Sequence, residues 1–175
     1  MKIVFLLVIL PLFLAGCSSQ YANKDLVGQQ LPSIKGESLS SEEFNIPEAF
    51  AGKQTLLLFA YKHDAQFDVD RWLIGLDMTQ TQIDVYEIPT LQGMFPRMFS
   101  TFIDDGMRSG IPKELWKGVI TVYEDGDLMQ EFTGNQQGKS ARVVLLNESA
   151  KIIYFYDRGF SVAALNEVRK LITTK

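Results

Sequence analysis

The apolar positions in the first half of the chain follow the pattern of a strand, a helix and a second strand. Thr55–Tyr61 is a continuous apolar run of strand length, which is typical of a strand covered on both faces. Four apolar residues then fall on one face of a helix that ends near Thr79: Val69, Trp72, Leu73 and Leu76. Gln82–Pro89 alternates imperfectly and predicts the second strand. We therefore expect a βαβ unit with parallel strands, the first of them central in a sheet.

The segment after the second strand predicts a helix and a loop. Four of its apolar residues have helical spacing: Met98, Phe99, Phe102 and Ile103. They predict a helix from about Arg97 to Asp105. The stretch Asp104–Pro112 contains two glycines and ends in proline, so it is predicted to be a loop with Gly106 as the C-cap of the helix.

The last third of the chain predicts antiparallel strands and a final helix. Asp125 and Gly126 stand between two β-prone runs and predict a hairpin. A second hairpin is predicted from Val143–Leu146 and Ile152–Tyr156, and a helix begins at Ser161, a suitable N-cap. The element order predicts the α/β class with a mixed sheet, parallel in its first half and antiparallel in its second.

The N-terminus has the features of a secretory signal. Lys2 precedes an apolar run from Ile3 to Leu14, which is too short to span a bilayer, since a spanning helix needs about 20 apolar residues. The sequence Leu14-Ala15-Gly16-Cys17 resembles the lipobox of bacterial lipoproteins, which implies that Cys17 becomes the first mature residue and carries lipid. The alternative is an uncleaved anchor with an incidental cysteine. The predicted domains are a signal peptide (1–16), a lipid-anchored flexible linker (17–27) and a folded domain (28–175).

The lipobox resemblance also implies a location. Such a protein lies in the cell envelope, anchored to a membrane through its N-terminal lipid and facing the periplasm. Ser18 follows the cysteine where an aspartate could stand, which resembles the lipoproteins that are sorted to the outer membrane.

Composition removes several functional classes. Cys17 is the only cysteine, so the chain cannot form an internal disulfide, and the lipidation that the lipobox implies would leave the mature chain no thiol nucleophile. Losing residues 1–16 takes away Lys2 and changes the formal net charge from -4 to -5. No basic patch stands out, so we expect no nucleic-acid partner. No motif predicts a bound metal or another cofactor.

The domain resembles the thioredoxin-like fold, especially its peroxiredoxin and thiol-reductase branches. The resemblance rests on Gly28 and Pro32, on Gly52-Lys53 before the strand Leu56–Phe59, and on the hairpin and glycine turn before the last helix. A weaker similarity exists to the thioredoxin-like assembly factor of the mitochondrial ATP synthase. The resemblance implies a three-layer α/β/α domain with a mixed central sheet.

The departures from this family concern its thiol site. Redox-active members keep a cysteine at the start of the first helix, where the helix N-terminus lowers its pKa. The matching stretch here is Lys62–Phe67, which contains no sulfur. The cis-proline that faces the site should precede Val143, but Ser140, Ala141 and Arg142 stand there. Both halves of the thiol site are missing.

Three groups of residues remain as candidates for function. His63, the only histidine, and Asp64 follow the central strand and could act as a general base or hold a ligand; the alternative is a solvated loop with Asp64 as an N-cap. Arg108 and Trp116 could anchor a partner protein, or belong to a plain connection. The third group could form a Cu(I) site or simply fill the core; it consists of Met94, Met98 and Met107, with His63 nearby.

Two functions follow from these observations. The favoured hypothesis is a membrane-anchored envelope lipoprotein whose non-redox thioredoxin-like domain binds a protein partner or acts in assembly. The alternative is an envelope enzyme of the hydrolase type with a non-thiol site around His63, Asp64 and Arg108.

Overall fold

A computed structural model describes residues 20–172 of the 175-residue chain. The main sheet has the order β4-β3-β6-β7. Its strands are β3 (Thr55–Ala60), β4 (Asp84–Pro89), β6 (Arg142–Leu146) and β7 (Ile152–Tyr156). Strand β3 is parallel to β4 and antiparallel to β6, which is antiparallel to β7. The predicted central strand, the parallel βαβ unit and the second hairpin are therefore confirmed.

Helices cover one face of the main sheet. Helices α1 (Gln66–Met78) and α5 (Val162–Leu171) pack on Leu56 and Leu58 of β3 and on the same-facing residues of β6 and β7. Trp72 of α1 is fully buried in this layer. Helix α5 begins as predicted, because the Ser161 hydroxyl accepts a 3.1 Å hydrogen bond from the amide of Ala164.

The opposite face is covered by a small sheet and one more helix. Strands β1 (Ile34–Ser38), β2 (Glu43–Ile46) and β5 (Ile120–Thr121) form a second sheet in the order β2-β1-β5, and α4 (Gly126–Thr133) lies beside it. Leu57 and Phe59 of β3 face this layer, as the strand alternation requires, and pack in one apolar cluster with Ile34, Ile120 and Met129. The main sheet is thus the middle of three layers, as expected, although one outer layer contains a small sheet as well as a helix.

The prediction of a loop at Asp104–Pro112 is wrong. The chain forms a short helix α2 (Met94–Met98) and then a longer helix α3 (Ser100–Gly110), so Gly106 lies inside α3 and does not cap it. An internal glycine costs a helix only about 1 kcal/mol relative to alanine. Here side-chain bonds to the rest of the domain, such as that from Arg108 Nε to the Leu39 carbonyl at 2.9 Å, hold the helix in place.

The hairpin predicted at Asp125-Gly126 is also wrong, since these residues begin α4. Asp125 does not turn the chain back; its carboxylate accepts a hydrogen bond from the amide of Lys35 at 2.8 Å. Gly126 is required for close packing, because a Cβ atom there would collide with the backbone carbonyl of Leu91. The glycine thus allows a close backbone approach and does not supply the positive φ of a tight hairpin turn.

The described part of the predicted linker is bound to the domain. We call residues 20–26 the N-terminal arm. The amide of Tyr21 donates to the side chain of Asn135 at 2.8 Å, and the Tyr21 carbonyl accepts from the amide of Asn135 at 3.1 Å. Leu26 is fully buried, and the backbone around Ala22 lies so close to Gly134 that a Cβ there would collide with it. Residues 20–26 of the predicted linker are therefore in contact with the domain. Cys17 and the rest of residues 1–19 lie outside the described residues.

Across residues 20–172, none of the helices has both the length and the apolar character needed to cross a membrane.

Candidate functional site

The candidate site lies where β3 and β4 end and β6 begins. In open α/β sheets, ligands generally bind at the carboxyl ends of the parallel strands. Tyr61–Ala65 leads from β3 into α1, and residues 134–141 lead from α4 into β6. These segments contain the two stretches that lack the sulfur and the proline of thiol enzymes, and the fold brings them together: the side chain of Lys62 lies against Gly138.

A buried carboxylate joins these segments. Asp68, on the first turn of α1, is only 5% exposed. Its two oxygens accept hydrogen bonds from the amide of Ala141 at 2.8 Å and from the amide of Phe160 at 2.6 Å. Asp68 thus fixes the loop before β6 and the turn before α5 to the same helix. Sequence reasoning missed this residue, because a carboxylate near the start of a helix is usually solvated.

A buried guanidinium lies behind the same loop. Arg142 is fully buried and donates hydrogen bonds to the carbonyls of Gly134, Gln137 and Ser140 at 2.7–3.1 Å. Its guanidinium carbon lies 4.9 Å from the centre of the Tyr61 ring, a cation–π distance. Burial lowers the pKa of Arg142 and raises the pKa of Tyr61. The arginine therefore shapes the backbone that precedes β6.

A cavity of about 520 Å³ opens beside these segments. Most of its polar lining consists of amide side chains: Gln20, Gln92, Gln130, Asn135 and Gln136. Tyr61, Lys62, Leu91, Pro96 and Gly138 complete it. The Nε2 atom of Gln92 is buried and has no hydrogen-bond partner among the described residues. Amides both donate and accept hydrogen bonds but do not transfer protons at neutral pH, so this lining suits binding of polar groups such as peptide amides.

Sequence reasoning did not identify this cavity. Gln20, Gln92 and Gln130 come from three separate parts of the chain and meet only in the fold. A local signal was nevertheless present. The amide run Asn135-Gln136-Gln137 is enclosed by Gly134 and Gly138, a pattern that concentrates polar groups on a short loop.

His63 and Asp64 both lie at the surface of this region. They form a short 3-10 turn, and Asp64 is ion-paired with Lys139 at 3.2 Å. Helix α1 begins without a side-chain cap, so the N-cap considered for Asp64 does not form. An exposed ion pair of this kind contributes at most about 1 kcal/mol. His63 therefore lies at the surface, where its side chain is accessible to a partner.

Glu87 is an acidic group near the start of α1. It is partly buried on β4, and Oε2 accepts a 3.0 Å hydrogen bond from Nε2 of Gln66. Burial raises the pKa of the Glu87 carboxyl above its ordinary value, the hydrogen bond from Gln66 opposes this rise, and the nearby charge of Asp70 adds to it.

Arg108 and Trp116 lie together, away from this loop. The Arg108 guanidinium is 5.8 Å from the Trp116 ring and forms an ion pair with Asp105 at 2.9 Å. The Trp116 indole donates to the carbonyl of Ile111 at 2.8 Å. These bonds hold the chain after α3 against the end of β1, so both side chains already have structural contacts. The fold does not bring Arg108 into contact with His63 or Asp64.

Two of the three candidate methionines do not fill the core as one alternative supposed, and the third, Met107, is partly buried. Met94 and Met98 are largely exposed on α2. Within residues 20–172, no three histidine, cysteine, aspartate or glutamate side chains are grouped as a metal site would require.

Comparisons with known proteins identify the fold. No protein-family model and no curated protein sequence matches the chain. Among solved structures, it is similar to the thioredoxin domain of a thiol-disulfide oxidoreductase from Bacteroides vulgatus, with 17% identity and a TM-score of 0.54, covering 86% of this chain and 100% of that one. It is also similar to a thiol peroxidase from Chromobacterium violaceum, with 13% identity, a TM-score of 0.57 and coverage of 87% and 89%.

A third similar structure is the exposed lipoprotein thioredoxin of Streptococcus pneumoniae. The identity is 9%, the TM-score is 0.55, and the match covers 81% of this chain and 100% of that one. At such identities the likeness establishes a thioredoxin-like fold and no activity.

Proposed function

We propose that this protein is a membrane-anchored envelope lipoprotein whose thioredoxin-like domain binds a protein partner without thiol chemistry. The observation that carries the proposal is the sulfur-free site: Asp68 of α1 binds the segment before β6, Arg142 contacts Tyr61 after β3, and an amide-lined cavity lies beside them. A partner segment would bind there through its own backbone amides. Thioredoxin-like domains occur in other lipoproteins, as the pneumococcal structure illustrates.

The hydrolase alternative has less support. Hydrolysis would need a general base that is positioned by a second group. Asp64 is paired with Lys139, and Arg108 is held by Leu39 and Asp105. Two of the three candidate residues, Asp64 and Arg108, are therefore bound to different partners.

Site-specific photo-crosslinking in the native host tests partner binding. A photoreactive residue in place of Lys62, at the cavity, should give one or a few defined crosslinked species. Lys170 is the matched control, since it is also an exposed lysine but lies at the end of α5, where the next residue, Leu171, accepts a hydrogen bond from Gln54 just before β3. Identical crosslinking patterns at both positions, or none at Lys62, would contradict a binding site at the cavity.

Anchoring is tested separately through Cys17. Cys17→Ser should move the protein from the membrane fraction to the soluble fraction, whereas Ser18→Ala should leave it membrane-bound. Ser18→Asp should shift it from the outer to the inner membrane if the sorting resemblance holds. A Cys17→Ser protein that is processed normally and stays membrane-bound would refute the lipid anchor.

A further inference from the structure

Helices α2 and α3 expose a continuous apolar surface. We call it the apolar patch, and it consists of Met94, Phe95, Met98, Phe99 and Phe102. Four of these residues are between 72% and 79% exposed, and Phe99 is 43% exposed. Phe95 and Met98 belong to α2 and Phe102 to α3, with Phe99 between the two helices, and the rings of Phe95 and Phe99 lie 4.5 Å apart. Single exposed apolar residues are ordinary, but a cluster this large marks an interaction surface.

Polar bonds on the other side of the two helices turn the patch outward. Arg97 donates to the backbone carbonyls of Tyr123 and Glu124. Asp104 accepts from the hydroxyl of Tyr123 at 2.8 Å, and Arg108 donates to the carbonyl of Leu39. These bonds attach α2 and α3 to the domain through their polar faces, so the apolar faces have no place in the core.

The N-terminal arm brings the start of the described chain to the same region. Gln20 and Pro96, which belongs to α2, line one cavity. The arm is fixed there by the paired bonds between Tyr21 and Asn135, and by the bond from Lys24 Nζ to the Glu131 carbonyl at 2.7 Å. The start of the described chain therefore lies near α2.

The distance from Gln20 to the proposed anchor is short. Cys17 is three residues earlier, and an extended chain spans at most about 3.5 Å per residue, which gives roughly 10 Å. If the apolar run to Leu14 were an uncleaved anchor instead, six residues would span at most roughly 20 Å. Either anchor would hold the α2 side of the domain close to the bilayer surface.

We propose that the apolar patch inserts into the interface of the phospholipid bilayer to which the chain is anchored. The patch would place three phenylalanines and two methionines at the boundary between headgroups and acyl chains, where such side chains bind favourably. Arg97 and Arg108 balance Asp104 and Asp105 on these helices, so the driving force is apolar and anionic lipid is not required. This inference rests on the anchoring in the proposed function, and it deepens it by orienting the domain.

The test uses the full lipidated protein in zwitterionic phosphatidylcholine vesicles. Because lipid occupies Cys17, an introduced cysteine is the only free thiol and can carry an environment-sensitive fluorophore. Met98→Cys is compared with Met78→Cys, since both methionines are highly exposed and Met78 lies at the end of α1. Quenching by spin-labelled lipids should be several-fold stronger at position 98, with a blue-shifted emission.

A patch variant completes the experiment. In Phe95→Gln/Phe102→Gln protein, the fluorophore at position 98 should lose its extra quenching while the protein remains vesicle-bound, and an unchanged circular dichroism spectrum would show that the domain is folded. Equal quenching at positions 98 and 78 would overturn the inference. So would a blue shift at position 98 without vesicles, which would indicate self-association or a protein partner. Failure of anchoring is distinguishable, because the protein would then not sediment with the vesicles.

Discussion

Replacing Asp68 with alanine removes a carboxylate that joins α1 to the loops before β6 and α5. The substitution leaves two amides without acceptors: that of Ala141, which is fully buried, and that of Phe160, which is partly buried. Each buried donor without a partner costs about 1–3 kcal/mol. We therefore expect Asp68→Ala to lower the free energy of unfolding by about 2–6 kcal/mol, with a central value near 4.

Equilibrium urea denaturation measures this loss. Trp72 reports on the affected region, because its ring lies 5.4 Å from that of Phe160 and both pack beside α1. With a slope of about 2 kcal/mol per molar urea, a loss of about 4 kcal/mol lowers the midpoint by about 2 M. Asp70→Ala is the control, since Asp70 is exposed and its carboxylate accepts a hydrogen bond from the side chain of Gln66. A change of less than about 0.5 kcal/mol for Asp68→Ala, as expected for an ordinary surface substitution, would refute the role assigned to Asp68.

Three further predictions concern stability. Burial raises the pKa of Glu87, so this carboxyl binds its proton more tightly in the folded state than in the unfolded state. The contribution of Glu87 to the free energy of unfolding therefore falls as the pH rises from roughly 4.3, the unfolded pKa, through the folded pKa. Glu87→Gln should remove this part of the pH dependence of urea midpoints, and a profile identical to wild type would contradict the argument. Gly134→Ala should detach the N-terminal arm and speed its amide exchange, because φ at Gly134 is +77° and a Cβ atom there would collide with the arm. Gly106→Ala is the control: a Cβ atom there meets open space, so the stability of the domain should be unchanged or increased. Ser161→Ala should cost about 1 kcal/mol in thermal or urea unfolding by removing the cap on Ala164, and no measurable loss would contradict it.

Elements that depend on local apolar patterns could be predicted from the sequence. Strand β3 is buried on both faces and therefore reads as an uninterrupted apolar run. The hairpin of β6 and β7, helix α1 and the cap at Ser161 also have local signals. Their order, together with the resemblance in Gly28, Pro32 and Gly52-Lys53, indicated the thioredoxin-like fold.

The two wrong predictions both concern glycines. A glycine is compatible with a turn, but it is also required where two backbones approach closely, and the sequence does not distinguish these cases. Gly126 lies against the carbonyl of Leu91, which is 35 residues earlier in the chain, and Gly106 lies within a helix held by distant polar contacts. Both outcomes depend on tertiary neighbours.

The sequence by itself determined which chemistry the described domain lacks, because residues 20–172 contain no cysteine and the stretch Lys62–Phe67 carries no sulfur. Tertiary structure alone decided what occupies that region. Asp68 bonds to the amides of Ala141 and Phe160, which are 73 and 92 residues later in the chain, and the cavity amides come from separate elements. The physical reason is that local patterns record which side of an element is buried, whereas hydrogen-bond partners and exposed patches depend on which elements the completed fold places side by side.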